Sequence, residues 1–268
     1  MTMHKIPKVI SIIGGQGKLG SLFASKFKEN GFEVLITSKD KSNNQEIAKK
    51  GDVVIVTVPI RKTEYVIQEI APFVSEDSLL TDFTSVKEKP VKIMSELFSG
   101  EVIGGHPLFG PIDSLQGNKF ILCPVRNGAY FSWYKSFLQS LGLHVYEMTP
   151  DNHDRMMSIV QCLTHISNVC FINSLQHLQQ NFALDLSLFK HLSTPSYQAR
   201  IQAASTMLQD AGLYADIQKE NKYSQIVAET YNASVQQLLQ TIKGKDFESI
   251  EIMFKQIQQF IKEGGNDS

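Results

Sequence analysis

The strongest constraint on this chain is an apolar run that breaks into glycine and then into helix. Val9–Ile13 reads as a buried strand, Gly15-Gln16-Gly17-Lys18-Leu19-Gly20 follows it, and Leu19–Lys28 has helical spacing. In a turn of this kind Gly15 permits the tight bend, Gly17 lets the backbone approach a pyrophosphate, and Gly20 lets helix pack on strand. The helix then offers unpaired N–H groups and its positive dipole end to phosphates. The plainer alternative is a glycine turn that only joins strand to helix.

The rest of the first 150 residues repeats the same grammar. Apolar, largely β-branched runs recur at Glu33–Thr37, Val53–Val58, Leu79–Phe83, Val102–Gly104, Phe120–Cys123 and Val145–Glu147. Helical patterns such as Lys62–Ile70 and Tyr130–Leu141 lie between several of them. Strands alternating with helices predict an α/β fold with a Rossmann-type, doubly wound parallel sheet. The stretch from Ser38 to Asp52 leaves room for a cramped crossover helix at most. After Pro150 the texture becomes helical without a convincing strand, with breaks near Asn181, Pro195, Gly212 and Gly244. The expected organisation is a dinucleotide-binding domain over residues 1–150 and an all-α domain of four or five helices over 151–268. Apolar faces wider than a small domain can hide predict a homodimer through the helical part, a monomeric helical cap being the alternative.

Composition excludes several classes. A net charge of −1 gives no footprint for nucleic acid or an anionic membrane. Three cysteines without a CxxC pair point to reduced, buried thiols, with Cys162 and Cys170 on one helical face. The chain opens without an apolar leader, and no run of about 18 apolar residues occurs, so a cytoplasmic protein is expected. The histidines form no i, i+4 pair and no cluster with cysteine, so no metal is expected. Trp133 with Tyr130, Phe131, Tyr134 and Phe137 has the spacing of a core-facing helix rather than a stacking site.

The end of the second strand bears on the choice of nucleotide. An acidic residue there would bind the ribose 2′-hydroxyl of NAD and repel the 2′-phosphate of NADP. This chain has Thr37-Ser38-Lys39, and a hydroxyl followed by a cation favours NADP, with NAD the alternative because Asp40 lies close by. Val56-Thr-Val58-Pro59-Ile60, Asp82-Phe-Thr-Ser85-Val-Lys87 and Gly104-Gly-His106-Pro-Leu-Phe-Gly-Pro111 also fall at strand C-terminal ends, where such sheets bind ligands. His106 is the histidine of the sheet-forming half that falls on such a loop. A hydride leaves a carbinol carbon readily only if the hydroxyl proton is taken up, which suits a histidine. A histidine satisfied by backbone groups at a Gly-Gly/Pro turn is the alternative.

These pieces, with Asn152-His-Asp154, Ser193-Thr-Pro-Ser-Tyr197 and Leu213-Tyr-Ala-Asp-Ile217, resemble the prephenate dehydrogenases nearly end to end. The likeness is closest to the dehydrogenase part of the bifunctional chorismate mutase–prephenate dehydrogenase T-protein, without a mutase part. The resemblance implies a small-molecule substrate, NAD(P)-dependent oxidative decarboxylation of prephenate to 4-hydroxyphenylpyruvate, and a place in tyrosine biosynthesis. It implies that His106 accepts the substrate's 4-hydroxyl proton and that Ser85 supports His106 or that hydroxyl. Lys87 and His153 would line the site, Tyr214 would lie near the substrate side chain, and Val58 and Pro59 would meet the nucleotide. Ser85 as a helix cap, Lys87 as a solvated first-turn residue and His153 as a helix-start residue are the plainer readings.

One departure concerns the substrate. The family carries an arginine after the Ser-Pro-x-Tyr piece that binds a substrate carboxylate. Here that position falls on Ser205 or Thr206, and the nearest arginine is Arg200. Loss of a charge-assisted hydrogen bond removes roughly 1.5–3 kcal/mol, or roughly ten- to a hundred-fold in binding. A related acid, arogenate or 4-amino-4-deoxyprephenate, is therefore an alternative substrate, and a catalytically silent nucleotide sensor is the alternative from another class.

Overall fold

The computed structural model describes residues 5–37, 43–110, 112–244 and 247–264, with the side chain of Lys190 left aside. Seven strands form one sheet: β1 (Val9–Ile13), β2 (Glu33–Ile36), β3 (Val53–Val56), β4 (Leu79–Asp82), β5 (Glu101–Pro107), β6 (Lys119–Arg126) and β7 (His144–Glu147), in spatial order β2-β1-β3-β4-β5-β6-β7. The helices of this half are α1 (Lys18–Glu29), α2 (Asn44–Lys50), α3 (Ile60–Ile70), α4 (Glu88–Leu97) and α5 (Phe131–Ser140).

The apolar runs become strands because both faces of the sheet are covered. Ile10, Ile12, Val53 and Ile55 point into a core with Phe23, Phe27 and Phe137, beneath α1 and α5. Their neighbours Ile13, Val54 and Val56 point the other way, against Ile47, Val66, Ile67 and Val91 of α2, α3 and α4. Period-two alternation with apolar residues on both sides is what a doubly covered parallel strand requires. The Trp133 group packs as a core face: Trp133 stacks on Phe137 with centroids 5.5 Å apart, and Phe137 on Phe27 at 4.7 Å.

The sheet departs from the all-parallel expectation at one pair. β6 runs antiparallel to β5, and β7 then runs parallel to β6. Among the described residues between β5 and β6 there is no helix to carry the chain across, and without such a crossover consecutive strands pair antiparallel. β5 is also longer than expected, so His106 lies inside a strand rather than on a loop. The order in which successive strands are laid down reverses between β1 and β3, which opens a crevice beyond their C-terminal ends.

From Pro150 the described residues are helical: α6 (Pro150–Met157), a π-turn over Ser158–Leu163, α7 (Thr164–Asn181), α8 (Leu186–Leu192), α9 (Pro195–Leu208), α10 (Ala211–Glu220), α11 (Ser224–Gly244) and α12 (Phe247–Gly264). Thr194 caps α9 by accepting from Tyr197 N–H at 3.3 Å, with Pro195 in its first turn, which accounts for the Ser-Thr-Pro-Ser-Tyr piece. An additional break, absent from the sequence reading, falls at Asn221. Its side chain accepts from Tyr223 N–H at 2.9 Å and donates to the Asp154 carbonyl at 2.9 Å, which ends α10. Cys123 and Cys162 are buried as expected, but Cys170 is exposed. Eight residues leave two side chains about 80° apart on an ideal helix, and the π-turn around Cys162 shifts the phase further. No helix of the described residues is long and apolar enough to cross a membrane.

Candidate active site

The glycine turn is built as a cradle, with the positive φ one residue earlier than expected. Gly14, not Gly15, takes the left-handed conformation (φ +83°), and its N–H donates to Thr37 Oγ1 at 3.0 Å. Thr37 is thereby spent on holding the turn. Gly15 lies against Ile36, where a Cβ would stand 2.6 Å from Cγ2. At Gly20 a Cβ would stand 2.7 Å from the Gly14 carbonyl oxygen, so α1 packs on the turn only without one. Gln16, Gly17 and Lys18 are exposed and Leu19 half-buried. The first turn of α1 carries no acidic residue and no side-chain cap. Free amides at a bare positive dipole end fit a pyrophosphate. Val58 packs on Gly14, and exposed Pro59 caps α3, so both lie at the crevice. Ser38 and Lys39 lie outside the described residues.

Beyond β4 and β5, His153 and Lys87 converge around His106. It is 2 % exposed, and its Nδ1 lies 2.8 Å from Nε2 of the fully buried His153. Thr149 caps α6 by accepting from Asn152 N–H at 3.2 Å, which starts the helix that aims His153 inward. His153 Nδ1 in turn lies 2.8 Å from Asp154 Oδ1. The Asp154 carboxylate also accepts Lys87 N–H at 2.7 Å and Glu88 N–H at 3.0 Å, capping α4 from another element. Burial holds the His106 pKa well below the usual 6.5, with His153 and the Lys87 ammonium adding to the effect. Burial also lowers His153, against the pull of Asp154. Both rings are neutral at pH 7. His106 Nε2 has no partner among the described residues and is not sealed from solvent.

Lys87 is buried, contrary to its reading as a solvated first-turn residue, and its ammonium faces the protein. It pairs with Asp82 and donates to the Gly105 carbonyl at 2.8 Å and toward Thr84 Oγ1 at 3.2 Å. Its donors are thus occupied, and any effect on substrate passes through the backbone beside His106. Removing one partner of a buried pair costs about 3–5 kcal/mol, which explains why two charges persist at this depth. Ser85 is half-buried and makes no hydrogen bond among the described residues, so it neither caps α4 nor reaches His106. Tyr214 shares no hydrogen bond or ring contact with His106 or His153 among the described residues. It packs with Ile60, Val86 and Cys162, meets the His165 ring edge-on at 4.5 Å, and lines an apolar cavity of about 350 Å3. Ser205 and Thr206 are exposed on α9, and Arg200 lies over the Phe171 ring at 5.6 Å. No cluster able to hold a metal occurs among the described residues.

Asp154 and Asp82 organise this centre, yet neither stood out in the sequence. The only signal was adjacency, since each belongs to a quoted piece beside a residue that did.

Residues 28–147 match the family model "Prephenate dehydrogenase, nucleotide-binding domain", and residues 149–256 match "Prephenate dehydrogenase, dimerization domain". The chain is 37 % identical to a probable arogenate/prephenate dehydrogenase of Methanocaldococcus jannaschii, over 94 % of this chain and 60 % of that protein. It is 33 % identical to the T-protein of Haemophilus influenzae, over 97 % of this chain and 70 % of that one. Thus it spans three-fifths to seven-tenths of the length of these relatives. A crystal structure of prephenate dehydrogenase from A. aeolicus, in complex with hydroxyphenyl propionate and NAD+, shares the fold with a TM-score of 0.77 at 22 % identity, covering 100 % of this chain and 99 % of that one. With both halves matched in order, the chain belongs to the prephenate dehydrogenase family.

Proposed function

We propose that this chain oxidatively decarboxylates prephenate to 4-hydroxyphenylpyruvate, using a nicotinamide nucleotide and His106 as the base. The observation that carries this reading is a buried, neutral histidine at the C-terminal edge of the sheet, with one ring nitrogen held by His153 and the other unpartnered. Residues 1–150 hold the nucleotide, and residues 151–268 complete the substrate pocket and pair two copies of the chain. When bound, the nicotinamide ring supplies the acceptor for a hydride. His106 Nε2 accepts the proton of the 4-hydroxyl as the carbinol C–H and ring C–carboxylate bonds break and CO2 departs. Ser85 offers its unengaged hydroxyl to the same substrate oxygen. Lys87 fixes the backbone that carries His106, and His153 fixes the ring. Tyr214 faces the substrate side chain from α10. NADP is favoured over NAD because Ser38-Lys39 offers a hydroxyl and a cation where a carboxylate would exclude the 2′-phosphate.

A second reading rests on the exposed Ser205 and Thr206 and the engaged Arg200: the substrate is a related cyclohexadienyl acid. The assay supplies NAD or NADP with prephenate, arogenate or 4-amino-4-deoxyprephenate and follows the reduced-nicotinamide absorbance. Prephenate turnover is expected. Turnover of another acid alone selects the second reading, and nucleotide binding without turnover on any acid makes the chain a sensor. His106→Asn is expected to lower kcat by on the order of 10²–10⁴, with nucleotide affinity nearly unchanged. An unaltered rate removes His106 from its role.

A further inference from the structure

We propose that Asp154 is a positioning residue that fixes the tautomers of both buried histidines, so that the lone pair of His106 falls on Nε2. This rests on His106 acting as the base.

Asp154 Oδ1 receives Lys87 N–H at 2.7 Å and faces His153 Nδ1 at 2.8 Å, while Oδ2 receives Glu88 N–H at 3.0 Å. A carboxylate offers only acceptors, and two backbone amides at a helix start already donate to this one. His153 must therefore carry its hydrogen on Nδ1. A neutral imidazole has one hydrogen, so His153 Nε2 bears a lone pair and accepts from the nitrogen 2.8 Å away, His106 Nδ1. His106 in turn has its hydrogen on Nδ1 and its lone pair on Nε2, the nitrogen without a partner. One acid, itself out of reach of substrate, thereby decides through two rings where a proton can be received.

The anchor is rigid for reasons outside the reaction. Asp154 caps α4, and its carbonyl accepts from Asn221 Nδ2 at 2.9 Å at the junction of α10 and α11. Asp154 therefore joins the helix after β4, the helix bearing His153 and the turn after α10. Without an acceptor at His153 Nδ1, the nearest acceptor is His106 Nδ1. The hydrogen of His153 then moves to Nε2, and His106 turns its own N–H toward substrate.

Three variants and one spectroscopic measurement test this. Asp154→Leu fills the volume without an acceptor and is expected to lower kcat by on the order of 10²–10⁴, with KM and nucleotide affinity within a few-fold. Asp154→Asn keeps an oxygen for Lys87 N–H and His153 while losing the Glu88 contact, so it is expected to retain activity within about ten-fold. Histidine 15N chemical shifts read the tautomers directly in the unaltered protein, which keeps the test open if Asp154→Leu does not fold. The expected spectrum has both rings protonated on Nδ1. Protonation of either ring on Nε2 overturns the proposal, as does a folded Asp154→Leu with undiminished kcat. His106→Asn separates the two readings: if it alone leaves the rate unchanged, the base assignment fails while the 15N shifts still decide the tautomers.

Discussion

His106 and His153 do opposite things with the same burial. Desolvation strips the proton from each ring, yet only His106 keeps a nitrogen open, because Asp154 occupies one side of His153 and His106 the other. The consequence for pH has a definite sign. In the unfolded chain these rings protonate near 6.5, whereas in the fold burial depresses His106, His153 and His165, the last to about 4. As pH falls below about 6.5 the unfolded state binds protons first, so stability is full above that value and declines toward the folded pKa values. The slope is up to about 1.4 kcal/mol per pH unit for each fully buried ring. Urea midpoints are expected to fall between pH 7 and 5, and the acid limb of kcat/KM to lie below 6.5. An acid limb above 6.5 would exclude His106 as the titrating base. His106 and Lys87 were conspicuous in the sequence by type and motif. The depth of Lys87 was not, because burial of a charge depends on Asp82 meeting it across a turn.

At the scale of elements, strand–turn–helix units were legible because periodicity and glycine are local properties. The direction of β6 and the end of α10 were not. The first is set by a missing crossover, the second by an asparagine whose partner, Asp154, is remote in sequence. The turn offers a sharp test of shape. A Cβ at Gly20 would meet backbone at 2.7 Å, whereas at Gly17 the nearest atom is the Gly14 oxygen at 3.2 Å. Gly20→Ala is expected to destabilise the protein by about 1–3 kcal/mol and to weaken nucleotide binding. Gly17→Ala is expected to weaken binding with little loss of stability. Urea denaturation beside nucleotide titration separates them, and a Gly20→Ala protein as stable as the parent would contradict the packing described.

For the whole molecule, the two halves differ in how completely they cover themselves. The sheet half has apolar cores on both faces, while α11 and α12 bury no residue and expose Phe254, Ile257 and Ile261 along one face of α12. Fully burying such a side chain contributes about 1.5–3 kcal/mol, so a second copy is the natural cover. Sedimentation is expected to report twice the chain mass, and Phe254→Glu with Ile257→Glu to shift it toward the monomer. A monomeric parent protein would rule out the pairing. The halves are joined by ion pairs that no periodicity announces: Arg61–Asp216 at 3.2 Å, Lys222–Glu88 at 2.6 Å and Lys89–Glu220 at 3.6 Å. By itself the sequence determined the strand–turn–helix grammar, the helical second half and the residue types at the strand ends, since each follows from neighbours within a turn or two. Only the tertiary structure decided that His106, His153, Asp154, Lys87 and Asp82 form one centre. Hydrogen-bond partners dozens of residues apart are fixed by how elements pack, and local pattern carries no record of that.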